Sequence, residues 1–219
     1  MEVLSPLGNS SKLWDKCLSA GKPVFIIGND DCHNVFDTAK VGRICTWINI
    51  RHPSRDNILQ ALKTGVSYAM YLGKDLREEV RKGYKDSIPM LQKFVVSTDT
   101  IYAQFSRPAK AIIVSGINGH VLHTVSGTDS VIFRLGANEP YARITANYKN
   151  GTEIFLNPVF RYHNSPLRQS AAAINVIQTF LLRLTGIIIL VVWFGTMVIR
   201  PFIKNFRHKT LPNILLDYE

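Results

Sequence analysis

Asp30, Asp31, Cys32, His33 and Asn34 form one run directly after the apolar residues 24–27 and Gly28. A carboxylate two residues from an imidazole offers a hard oxygen and a borderline nitrogen to a divalent ion. Such an ion would lower the pKa of a bound water. In parallel α/β folds ligands gather at the carboxyl ends of strands, the position this run occupies if residues 24–27 are a strand. Asp31 and His33 are therefore candidate metal ligands, and Asp30 and Asn34 are neighbours of unassigned role. The alternative is a surface loop with a solvated histidine. The remaining histidines do not complete a site. His52 follows the next strand, as a group behind the ligands or as an exposed loop residue. His120 and His123 are three apart on a predicted strand and so face opposite ways. His163 and His208 fall in a linker and a tail. Cys17, Cys32 and Cys45 show no CxxC spacing and are odd in number, which argues against a disulfide framework or a zinc ribbon.

The elements that must hold the loop follow from periodicity and punctuation. Residues 10–21 read as a helix capped by Ser10 or Ser11, with Leu13, Trp14, Cys17 and Leu18 on one face and Gly21 as terminator. The continuous apolar run 24–27 has the pattern of a parallel strand buried on both faces. A second strand, 45–50, leads to a helix over 55–63, capped by Ser54 and closed by Gly65. A charged helix is predicted over 75–82. Beyond it, short strands are predicted at 100–105, 111–114, 121–125, 131–135, 141–148 and 153–156, with Asn118-Gly119 and Asn150-Gly151 as hairpin turns. Residues 163–170 read as a linker.

The pieces WDKCLSAGKPVFIIGNDDCHN, ICTWINI and SRDNILQALKTGVSYAMYLG, spanning Trp14 to Tyr71, resemble in order and spacing the C-terminal end of the PHP family, the polymerase and histidinol phosphatase domains. That resemblance implies a distorted β/α barrel of seven units, of which about the last two would be present. It also implies clustered His, Asp and Glu ligands holding divalent ions (zinc, manganese or iron) that hydrolyse a small phosphate-ester substrate. Asp31 and His33 match the family's final metal-ligand motif. The opening H-x-H motif and the middle ligands would lie upstream of Trp14, where almost no chain stands. The expectation is thus the C-terminal portion of a membrane-anchored phosphoesterase, truncated or split, inactive alone and partnered by an upstream-encoded portion. The alternative is a degenerate, non-catalytic membrane-anchored binding or adaptor protein. The stretches AKAIIVSGINGHVLHTVSG, VIFRL and YARITANYKNG resemble the β-rich extension that follows the barrel in some family members. The implied fold class is α/β, a partial PHP-type barrel, plus a small antiparallel β-sandwich-like domain and one transmembrane helix. Its segments are 1–90, 91–163, a linker at 164–179, the helix at 180–199 and a basic tail at 200–219.

Residues 180–199 carry one charge, Arg183, and at helical rise cover about 30 Å, the hydrocarbon thickness of a bilayer. Arg200, Lys204, Arg207 and Lys209 follow closely, against Arg161 and Arg168 before, so the positive-inside rule predicts a cytoplasmic tail and an extracytoplasmic folded part. The first residues show no signal peptide pattern. The formal net charge is +10, but basic and acidic side chains number 13 and 10 over residues 1–90 and 7 and 4 over 91–163. An excess spread this evenly is no nucleic-acid footprint.

Overall fold

Alternating apolar residues over 100–115 dictate a strand with one buried face. In the computed structural model they form a single strand, Thr100–Ser115, rather than the two short strands predicted. Ile101, Ala103 and Phe105 are buried in its first half and Ile112 and Val114 in its second. The change from odd to even positions has a cause. Between Gln104 and Ala109 four residues, Pro108 among them, oppose a single residue of the neighbouring strand. Such a bulge flips the face that side chains occupy.

The structure describes residues 1–37, 40–83, 88–161 and 175–200. In chain order the elements are β1 (Glu2–Ser5), β2 (Gly8–Asn9), α1 (Ser11–Ser19), β3 (Ile27–Gly28), β4 (Ile44–Ile48), α2 (Arg55–Thr64), β5 (Ser67–Tyr71) and α3 (Lys74–Arg81). There follow β6 (Leu91–Ser97), β7 (Thr100–Ser115), β8 (Val121–Arg134), β9 (Tyr141–Asn147), β10 (Glu153–Leu156), β11 (Val159–Phe160) and α4 (Val176–Phe194). Two units divide the chain, Met1–Gln169 and Ser170–Glu219.

The first unit is built on a curled eight-stranded sheet of order β4-β5-β10-β9-β7-β6, with β8 paired to β7 and β11 to β9. Every pairing within it is antiparallel. Its central strands are buried on both faces. Tyr68, Met70, Ile144 and Ile154 enter the core inside the curl. Ala69, Tyr141 and Phe155 point the other way, into a second core closed by Val3, Leu4, Trp14, Leu18 and Ile26.

These pairings overturn the expected α/β class. A barrel unit needs its helix to carry the chain back so that the next strand runs parallel. Here β4 and β5 are antiparallel, Ile44 opposite Tyr71 and Ile48 opposite Ser67, and α2 is an insertion at the hairpin's end. The Asn49 N–H donates to Val66 O across its base (3.3 Å), and Ala61 is its one buried residue. The run 24–27 is not a core strand buried on both faces either, although its last residue begins a two-residue strand that pairs parallel to β1. Only Ile27 and Gly28 pair, with β1, while the Ile26 N–H donates to Asn157 Oδ1 (2.8 Å) and the Met1 ammonium to Phe25 O (2.7 Å). Its apolar character comes from lying as a strap under Trp14 and over the sheet. Ile26 is buried there, Val24 and Phe25 are half-buried and Ile27 is 37% exposed, so an apolar run does not by itself report burial on both faces.

Local signals at chain reversals are realised. The Ser54 hydroxyl accepts the Asn57 N–H (3.2 Å), and Gly65 ends α2 with φ +76°. Asn118 (φ +54°) and Gly119 (φ +76°) form the turn between β7 and β8. The buried face of α1 is Trp14, Asp15 and Leu18 rather than the predicted set, with Leu13 exposed.

In the second unit α4 continues through a π-helical turn, Gly195–Ile199. The span Val176–Met197 is 22 residues with mean hydropathy 2.1, and none of its apolar window is buried. The chain thus has one helix among the described residues that is long and apolar enough to cross a membrane. Two of its three threonines bond within the helix, Thr185 donating to Leu181 O (2.8 Å) and Thr196 to Trp193 O (3.0 Å). Internal satisfaction of this kind is what hydrocarbon demands.

Candidate functional site

Asn29 to Asp37 is a surface loop, and its composition explains its shape. The Asn29 and Asn34 side chains accept the N–H groups of Asp31 and Phe36 (3.1 Å each), turns that asparagine makes locally. Asp31 holds φ +45°. Asp30, whose role the motif left open, is the structural residue of the run. Its carboxylate accepts the N–H groups of Gly42, Arg43 (3.0 Å) and Ile44 (2.7 Å), which closes the loop and starts β4. With its oxygens so committed, Asp30 is poorly placed to ligate an ion.

The structure brings Asp31 and His33 together, with His33 Nε2 3.5 Å from Asp31 Oδ1. Two ligands about a tetrahedral ion at about 2.1 Å would stand about 3.4 Å apart, so the spacing fits joint ligation. Two ligands are still too few, and the imidazole is 88% exposed with no carboxylate or carbonyl behind it among the described residues. Among the described residues, no group of three or more His, Cys, Asp or Glu could hold a metal ion. His52 lies in the exposed turn before α2, and His123 stacks on Phe133 with centroids 6.0 Å apart. His163 and His208 lie outside the described residues.

A second candidate lies at the mouth of the curled sheet. A groove of about 710 Å³ opens between the end of β4, the start of β5, the residues after β10 and the start of β6. Its floor is an aromatic pair, Trp47 and Tyr68, directly opposed across β4 and β5. Their centroids are 6.4 Å apart and their planes within 7°. Phe25 and Phe94 flank it, and Asn49 and Gln92 supply exposed amides. Burial pushes the Tyr68 phenol above its ordinary pKa, so it stays a neutral hydroxyl at physiological pH. No ionisable acid or base other than this phenol lines the groove among the described residues. Asn157 builds its rear wall: besides accepting from Ile26, its Nδ2 donates to Gly65 O (3.1 Å) and Ser67 O (2.8 Å). These residues escape a motif search because they come from five separate segments. The one sequence signal is the pair of aromatic strand residues, Trp47 and Tyr68, bracketing α2.

A buried network holds this scaffold together. Arg143 donates from Nε to Asp15 Oδ1 (2.6 Å) and from Nη2 to Oδ2 (2.7 Å), and from Nη1 to Thr145 Oγ1 (3.0 Å). Its guanidinium lies 5.3 Å from the Trp14 ring. The Tyr141 hydroxyl donates to Gly116 O (2.7 Å), tying the same region to the β7–β8 turn.

Fold and groove together define an antiparallel β-domain followed by an apolar helix. Compared with known protein families, characterised proteins and solved structures, the chain matches none.

Proposed function

We propose that this chain is a single-pass, membrane-anchored, non-catalytic binding protein. The observation that carries the reading is the helix Val176–Met197, whose surface is apolar all round. Ile187, Ile188, Ile189, Leu190 and Val191 are consecutive and each more than half exposed, so no face is reserved for water. A helix of that length and composition is stable with those side chains in hydrocarbon. Arg183 can carry its charge to the headgroups along its own stem. The basic residues from Arg200 onward favour a cytoplasmic tail, with the β-domain on the far side of the membrane. The uncharged aromatic groove supports binding over phosphate-ester chemistry, because a phosphoryl group needs cations or metal ions that its lining does not offer. Loss of the barrel removes the support that the phosphoesterase reading drew from fold.

Carbonate extraction of membranes containing the full chain tests the anchor. The protein should stay in the pellet and be released by detergent, and release by carbonate alone would refute the reading. Elemental analysis of the purified chain, with Asp31→Ala/His33→Ala beside it, tests the second half. No stoichiometric divalent metal is expected in either. A bound metal lost in the double variant would return the chain to metal-dependent hydrolysis.

A further inference from the structure

The curled sheet ends in two long edges that are built differently. β8 pairs only with β7, and its centre reads His123-Thr124-Val125-Ser126-Gly127-Thr128-Asp129-Ser130, polar and interrupted by Gly127 at φ +68°. Polar side chains and bulges of that kind keep an edge from pairing with another chain. β6 has neither. Among the described residues no strand pairs with its outer edge, and Phe94, Val95 and Val96 stand consecutively at 38%, 40% and 47% exposure.

The two-residue turn Thr98-Asp99 fixes which backbone groups are free. Ser97 opposes Thr100 as the hydrogen-bonded closing pair of the hairpin, so Val95 and Lys93 also bond inward to β7. The N–H and C=O groups of Phe94 and Val96 therefore point out along the open edge. Val95 opposes Tyr102, which opposes Ile132, the last 67% exposed, so an apolar row runs across three strands and stops at this edge.

We infer that the outer edge of β6 is an interface for a second copy of this chain, paired antiparallel about a two-fold axis at Val95. The sequence is self-complementary in that register. Phe94 opposes the partner's Val96, the outward donors and acceptors of each strand meet those of the other, and the apolar row continues unbroken into the second sheet. Lys93 falls opposite the partner's Ser97, so the two ammonium groups stay apart and like charges do not meet. A two-fold contact of one patch with itself closes after two copies and leaves no edge to propagate. The inference stands independently of the membrane reading.

The geometry makes a sharp test. Val95 and its symmetry mate form a non-hydrogen-bonded pair with Cα atoms about 4.5 Å apart. That lies within the roughly 4.4–6.8 Å that a disulfide spans. Mild oxidation of full-length Val95→Cys, in membranes and in detergent, should give a covalent dimer as the main product. Ile132→Cys, exposed on the same face but two strands away, and the wild type with its native cysteines should give little. In a second arm, Val95→Lys sets two ammonium groups face to face and should convert a dimer to a monomer by light scattering in detergent, with Val95→Thr remaining a dimer. Equal cross-linking at Ile132→Cys, or a monomeric wild type together with no cross-link at Val95→Cys, would overturn the inference. So would Val95→Cys trapping a different protein in place of its own copy.

Discussion

Asp15→Ala removes the carboxylate that pairs with Arg143, the only one in contact with it among the described residues, and leaves that guanidinium where it stands, with its side chain 8% exposed. The pair is bidentate, with both bonds below 2.8 Å, and Thr145 and the Trp14 ring occupy the guanidinium's other contacts. Breaking a buried pair from one side costs about 3–5 kcal/mol, because the remaining charge has lost its partner and cannot reach water. Against a typical domain stability of about 5–15 kcal/mol, that is about a fifth of the total or more. It corresponds to roughly two to nearly four orders of magnitude in the folding equilibrium. The double variant Asp15→Leu/Arg143→Met replaces the pair with apolar side chains and should recover most of the loss, since a buried ion pair and a well-packed apolar pair are often near equal. Urea unfolding of the full chain in detergent, followed by tryptophan fluorescence with Trp14 as a local reporter, measures all variants. A single variant costing less than about 1 kcal/mol, or a double variant as unstable as the two singles summed, would refute the reasoning.

Asp30→Ala strips the acceptor from three backbone N–H groups and should open the loop before β4 at a local cost on the order of 2 kcal/mol. Limited proteolysis and hydrogen exchange confined to residues 31–43 would register it, whereas Asp31→Ala and His33→Ala should leave exchange there unchanged. Gly73→Ala places a Cβ against the Asn150 carbonyl, where the backbone before α3 meets the β9–β10 turn, and should lower the melting temperature by the equivalent of about 1–3 kcal/mol. Glu153 is half-buried, and burial raises its carboxyl above the ordinary 4.5. A raised carboxyl favours folding only while protonated, so that contribution is present below the unfolded pKa and is lost as pH rises through the folded one. Glu153→Gln should therefore raise the melting temperature at pH 7 relative to wild type and lose that advantage at pH 4; the same gain at both would show that burial is not the cause.

What could be read from the sequence divides by range of interaction. Ser54, Gly65, Asn118-Gly119 and Asn150-Gly151 act over a few residues, and the structure uses each as its chemistry requires. The apolar stripe ending in α4 is equally local, since twenty residues without a polar face have few places to go. The class of the sheet was not legible, and residues 24–27 and 45–48 show why. Of residues 24–27 only Ile26 is buried, and 45–48 are half-buried on the end strand of an antiparallel sheet, so apolar character in neither segment reports how its strand is paired. Parallel or antiparallel pairing is decided by what the intervening segment does, and the helical signal of α2 is identical whether it crosses over a sheet or caps a hairpin. The candidate site divides in the same way. Asp31 and His33 could be found because they are two residues apart, yet so near a pair on a loop tip has few neighbours to make it a centre. Trp47 and Tyr68 are 21 positions apart and meet only through the β4–β5 register. Asn157 meets Ile26 across 131 positions. A groove assembled at that range leaves no local motif, and only the register that joins its walls could reveal it.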